Sequence, residues 1–196
     1  MGILHSAPPG AGDTAALYRW LTDRQGRRNV FDGHLFACIL ARRWPGGSGA
    51  LGLSDVAFTR LLERYFPGAL QDGLPVVEAS PARLPAHLHA EFRELAELLL
   101  SHRSQGTDEE VWLAAIIARA ALDSAELWQD LGLNGPRHLA AVIERHFDPL
   151  AVLNATGTRW KTFLYRFLCA RDGLIPCGAP VCRACGAEAV CFGAGD

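Results

Sequence analysis

Apolar positions recur along most of this chain with a helical period, not in the alternation of strands. In residues 14–24, Leu17, Trp20 and Leu21 fall on one face, and Asp13 stands where it can cap the first turn. Residues 34–43 form a more apolar stretch that stops before Pro45-Gly46-Gly47. Ser54 is placed to cap the next helix, in which Val56, Leu61, Leu62 and Tyr65 are the expected buried stripe and Pro67-Gly68 the stop. Residues 67–84 carry prolines and glycines without a helical period and predict a surface loop, long enough that part of it should be ordered against the core. The run HLHAEFRELAELLLSH, ending at His102, is strongly amphipathic.

Thr107-Asp108-Glu109-Glu110 has the form of a capping box, Thr107 bonding forward and Glu110 back, and predicts a helix over 109–122. A short helix over 126–131 ends at Gly132, and Pro136 suits the first turn of another that runs through Phe147. Asp148-Pro149 repeats that logic for a brief helix to Asn154, and a last helix spans 158–171, closed by Gly173. On that last helix Arg159, Thr162 and Arg166 share a face, with Trp160, Phe163, Leu164 and Phe167 as the expected packing surface. Trp112, Trp128 and Trp160 are expected in the core, as large aromatics at helical spacing generally are.

No segment alternates in the manner of a strand, so the expected fold is all-α: a helical bundle with an irregular, cysteine-rich C-terminal tail. Residues 1–12 read as a flexible N-terminal tail, 13–172 as the helical domain and 173–196 as the cysteine-rich segment. The basic residues are eighteen arginines and one lysine, Lys161, set against 21 acids for a net charge of −2. They are scattered, form no basic stripe and argue against nucleic acid as a partner. The apolar runs are too short to span a bilayer and the N-terminus lacks the form of a secretory signal, so a cytoplasmic protein without membrane association is expected. The chain has no P-loop, GxGxxG, HExxH or GxSxG, and no tight histidine–carboxylate pair.

The cysteines change this picture. Cys38 and Cys169 stand alone in apolar helical patterns, whereas Cys177, Cys182, Cys185 and Cys191 fall within fifteen residues with x4, x2 and x5 gaps. Four thiolates are soft donors that select zinc, copper(I) or an iron–sulfur cluster over magnesium or calcium. Structural zinc usually takes two short knuckles with a longer spacer, and only one x2 pair is present here. The first three cysteines share the C-x4-C-x2-C spacing of plant-type ferredoxins, in a helical context foreign to that fold. Spacing alone therefore favours a cluster, leaves zinc open and, in a reducing compartment, disfavours disulfides. Pro176, Gly178, Pro180 and Gly186 suit a backbone bent around a compact object. Cys169, eight residues before Cys177, is expected to be buried.

Three segments together resemble the NifQ proteins of nitrogen-fixing bacteria. They are the C-x4-C-x2-C-x5-C tail ending in Cys191-Phe192, the stretch LWQDLGL over 127–133, and Arg159-Trp160-Lys161 with Phe163, Tyr165 and Leu168-Cys169. The likeness spans roughly residues 107–192. It implies an iron–sulfur cluster on Cys177, Cys182, Cys185 and Cys191 that acquires molybdenum and donates it to synthesis of the iron–molybdenum cofactor of nitrogenase. It also implies the NifEN scaffold with the iron protein NifH as receiving partners, and a carrier in place of a turnover enzyme. Glu126 stands where the family is expected to carry a histidine before Leu-Trp, and Thr162 where it has a second lysine. Molybdenum arrives as an oxyanion, which makes Arg159, Lys161, Arg166 and Arg183 candidate attracting cations, solvated helix charges being the plainer reading of each. The competing reading of the whole chain is a zinc-stabilised helical interaction module.

Overall fold

The computed structural model describes residues 8–9, 13–26, 29–43, 47–74, 84–123 and 126–171. Among them the regular structure is entirely helical, and none of the helices is long and apolar enough to cross a membrane. The chain divides into two compact units, one of residues 1–84 with 131–133, the other of residues 85–130 and 134–196.

The first unit holds α1 (Thr14–Thr22), α2 (Val30–Arg43), the single turn α3 (Gly47–Ala50) and α4 (Asp55–Tyr65). Asp13 caps α1 by accepting from the Ala16 N–H at 2.9 Å, and Ser54 caps α4 by accepting from the Ala57 N–H at 3.2 Å. α2 starts four residues before the apolar pattern does, at Val30 and not at His34. The reason is Asn29, which adopts φ +47° and accepts from the Asp32 N–H at 3.2 Å, a backbone region that asparagine tolerates better than most residues. Leu17 and Leu21 of α1, Leu35, Phe36, Ile39 and Leu40 of α2, and Phe58, Leu61 and Leu62 of α4 make the core of this unit.

The stripe expected on α4 needs one correction. Val56 is 63% exposed, and Phe58, 1% exposed, takes the place assigned to it. Positions 58, 61, 62 and 65 keep the i, i+3, i+4, i+7 rhythm, from which 56 is offset by two residues. Arg24 is buried at the end of α1, its guanidinium 3.8 Å over the Trp20 ring and its Nε donating to Asp72 at 2.8 Å. Asp72 lies in the run of turns after α4, where Ala69 and Leu74 are also buried, so this part of the expected loop is ordered against the core. Residues 75–83 of that loop lie outside the described residues.

The second unit opens with a 3-10 turn at Ala86–Leu88 and continues through α5 (His89–Ser101), α6 (Asp108–Ala121), α7 (Leu127–Asp130), α8 (Pro136–His146), α9 (Asp148–Leu153) and α10 (Trp160–Arg171). α6 is its central helix, packed on α5 and burying Trp112, Leu113, Ile116 and Ile117. Its N-terminus is held by Glu110, whose carboxylate accepts from the N–H groups of Thr107 at 2.8 Å, Gln105 at 2.8 Å and Ser104 at 3.1 Å. One side chain thus satisfies the helix start and the preceding turn together. The Ser104 N–H also lies 3.0 Å from the His146 carbonyl, and the Ser104 hydroxyl accepts from the Asp148 N–H at 2.9 Å, joining this turn to the α8–α9 junction.

α10 turns a different face inward from the one its pattern suggests. Lys161, Thr162, Leu164, Tyr165 and Leu168 are buried, whereas Trp160, Phe163 and Phe167 are half-buried. The three aromatics form a ladder instead, with centroids 5.5 Å apart from Trp160 to Phe163 and 5.9 Å from Phe163 to Phe167. His102 stands edge-on to Phe167 at 5.5 Å and ends the row. Tyr165 faces the core, its hydroxyl donating to Glu91 of α5 at 2.5 Å.

Candidate functional site

The expected metal ligands Cys177, Cys182, Cys185 and Cys191, and the candidate cation Arg183, lie outside the described residues. Among the described residues no group of three or more histidine, cysteine or acidic side chains is arranged to hold a metal ion. The fit of the cysteine segment to an iron–sulfur cluster therefore rests on donor chemistry: four thiolates are the ligand set such clusters take. Cys38 and Cys169 are each half-buried, Cys169 less enclosed than its pattern suggests.

The two upstream segments meet in space. Leu127 and Trp128 of α7 and Arg159-Trp160-Lys161 at the start of α10 line one cleft of about 330 Å³ in the second unit. α8 supplies the facing wall with Pro136 and Leu139. Of the three tryptophans expected in the core, only Trp112 is there; Trp128 and Trp160 are half-buried on the cleft. Their combined apolar area and partial exposure suit a recognition surface better than a structural core.

Of the charged groups lining the cleft, which include Arg137 and Glu144, Arg159, Glu126 and Lys161 are engaged with partners. Arg159 donates to Glu126 at 2.8 Å, both side chains being well exposed. Glu126, in the place of an expected histidine, is thus one half of an ion pair at the cleft. Lys161 is buried, not solvated, and its ammonium donates to the Asp123 carbonyl, so its charge serves a backbone group. Arg166 is exposed on α10.

Asn154 is the cleft residue that sequence patterning missed. It ends α9, and its Nδ2 donates to the Thr158 carbonyl at 2.8 Å, closing the turn that leads into α10. That bond fixes the amide orientation, because the reverse orientation would set two acceptors face to face. Its Oδ1 is buried without a hydrogen-bond partner. The only sequence signal was an asparagine just past a short helix, a common turn residue.

Two tryptophan-bearing segments that share a cleft, on a scaffold helical throughout the described residues and followed in sequence by four closely spaced cysteines, define the class of protein. A family model described as NifQ matches residues 13–193, which covers both units and all four tail cysteines. The NifQ homolog of Sinorhizobium fredii is 35% identical over 173 residues, 85% of this chain and 74% of that protein. NifQ of Azotobacter vinelandii is 35% identical over 151 residues, 74% of this chain and 77% of that protein. NifQ of Rhodobacter capsulatus is 36% identical over 144 residues, 72% of this chain and 75% of that protein. The chain belongs to the NifQ family. Membership extends well beyond the 107–192 stretch in which the resemblance was first visible. No solved structure matches the chain.

Proposed function

We propose that this protein carries an iron–sulfur or molybdenum–iron–sulfur cluster on Cys177, Cys182, Cys185 and Cys191, and donates molybdenum for synthesis of the nitrogenase iron–molybdenum cofactor. The observation that carries this reading is the soft four-thiolate set within the stretch that matches the NifQ family. The gaps of four, two and five residues suit thiolates set around a cluster better than four sulfurs about 2.3 Å from one zinc ion. The ligands follow the last described helix in the chain, so the helices can keep their packing while cargo is gained or lost. In this role the protein is a carrier and not a turnover catalyst, acting in the cytoplasm. A molybdate-derived source supplies the metal, and the NifEN scaffold with NifH receives it.

The cleft has a supporting part in this reading. Lys161 is committed to a backbone carbonyl and Arg159 to Glu126, and the tryptophan-walled cleft is lined by Arg137 and Glu144 as well. Attraction of an oxyanion by Lys161 is therefore no part of the proposal.

Protein isolated without oxygen should be brown, contain iron and sulfide, and take up molybdenum, as read by metal and sulfide analysis with electronic and paramagnetic-resonance spectra. A colourless protein holding one zinc ion, and no iron even after anaerobic reconstitution, would instead establish the zinc-stabilised interaction module.

A further inference from the structure

A carrier has to hold its receiver while its thiolates let go of the cargo, which calls for a docking surface apart from the metal ligands. The second unit offers one in the cleft of about 330 Å³ walled by α7, α8 and the start of α10. Trp128 and Trp160 are half-buried there, so part of each side chain stays open to another molecule. Partly covered tryptophans beside a concavity are the residues that most often anchor a protein interface. The volume is at the small end of ligand sites and suits an inserted side chain more than a whole cofactor.

The rim adds a direction. α8 lines the cleft with Arg137 toward one end and Glu144 toward the other, seven residues and therefore about 10 Å apart along the axis. Both are exposed, and neither forms an ion pair within the described residues. On the facing side Arg159 and Glu126 neutralise each other. A segment lying along the cleft is therefore read in one orientation, with a carboxylate against Arg137 and a base against Glu144.

The cleft also stands where cargo can be handed on. It includes the first turn of α10, a helix of 12 residues and so about 18 Å long, which ends at Arg171. Cys177 follows six residues later, at most about 20 Å farther by the reach of an extended chain. A protein seated on the cleft thus has the first thiolate within about 40 Å, and touches no metal ligand by docking there.

We propose, resting on the carrier reading for the partner, that this cleft docks the protein that receives the cargo. An apolar side chain of the receiver packs against Trp128 and Trp160, and a carboxylate and a base of the same segment meet Arg137 and Glu144.

The test is anaerobic biolayer binding of the purified NifEN scaffold to the immobilised full chain, metal-free and metal-loaded. The parent should bind. Trp128→Ala and Trp160→Ala should each raise Kd at least about 30-fold, while iron and molybdenum content stay at the parent value. Arg137→Glu and Glu144→Arg should each lower the association rate about tenfold at low salt and by less at high salt. Both charge variants alter exposed side chains, so they decide the matter if the tryptophan variants fail to fold by circular dichroism. Val56→Ala, on an exposed position of the first unit, should change nothing. No binding of the parent in either state, or binding indifferent to every folded cleft variant, would overturn the docking site. A chain that binds the scaffold through the cleft yet holds no iron or molybdenum would uphold the site and overturn the carrier reading alone.

Discussion

Glu110 shows how much one side chain can organise. It is 1% exposed and its two oxygens accept from three backbone N–H groups, so truncation would leave those of Gln105 and Thr107 without this acceptor, Ser104 keeping the His146 carbonyl. Glu110→Ala should cost about 3 kcal/mol, seen as a lower urea midpoint at an unchanged denaturant slope. The Thr107 half of this arrangement was readable three residues upstream, because a capping box is a local pattern. The bonds from Ser104 and Gln105 were not, because they depend on how the preceding turn folds back. Lys161 makes the same point in reverse, since a lysine in a helix reads as solvated until the Asp123 carbonyl is found beside it. Burial raises the Cys38 thiol above its ordinary range, which lowers its thiolate fraction at any given pH. Its alkylation should therefore be slower than that of a free cysteine peptide, with a rate-against-pH curve displaced to higher pH.

At the scale of elements, periodicity located the helices well and their inward faces less well. α4 separates the two: Phe58→Ala should destabilise by about 3–5 kcal/mol, and Val56→Ala by no more than about 0.5 kcal/mol, in chemical denaturation. The reverse order would mean that the apolar stripe is the one centred on Val56. A helical period fixes which positions travel together, but the inward stripe is chosen by the neighbour a helix meets. On α10 that neighbour is α5, and it takes Leu164, Tyr165 and Leu168 inward while Trp160, Phe163 and Phe167 stack along the flank. The same choice put Trp128 and Trp160 on a cleft when their size alone argued for the core. The cleft itself was invisible in the chain, because its walls come from segments some thirty residues apart.

The cysteine segment, read from its spacing, lies outside the described residues; for the whole molecule, the all-helical class was legible from the absence of alternation. Extension of the family over residues 13–193 was not, because the first unit carries no motif with its own chemistry. Cys182→Ala or Cys185→Ala should abolish iron binding after anaerobic reconstitution while leaving far-UV helix content within about a tenth of the parent, since the described helices end at Arg171. Cys38→Ser should leave that iron content unchanged. Retention of full iron by both tail variants would displace the ligand assignment.

The LWQDLGL stretch is divided in an unexpected way. Leu127–Asp130 belong to the second unit, but Leu131, Gly132 and Leu133 belong to the first, with both leucines buried. Gly132, at φ +68°, leaves no space for a side chain, since a Cβ there would come within 2.7 Å of the Cys38 carbonyl. The backbone therefore passes between the units three times, and neither is a continuous piece of chain. A gene fragment ending at residue 84 would encode the first unit without its last three residues. Recombination could not transplant or lose that unit by a single cut, so the two halves are expected to have been inherited together as one cassette.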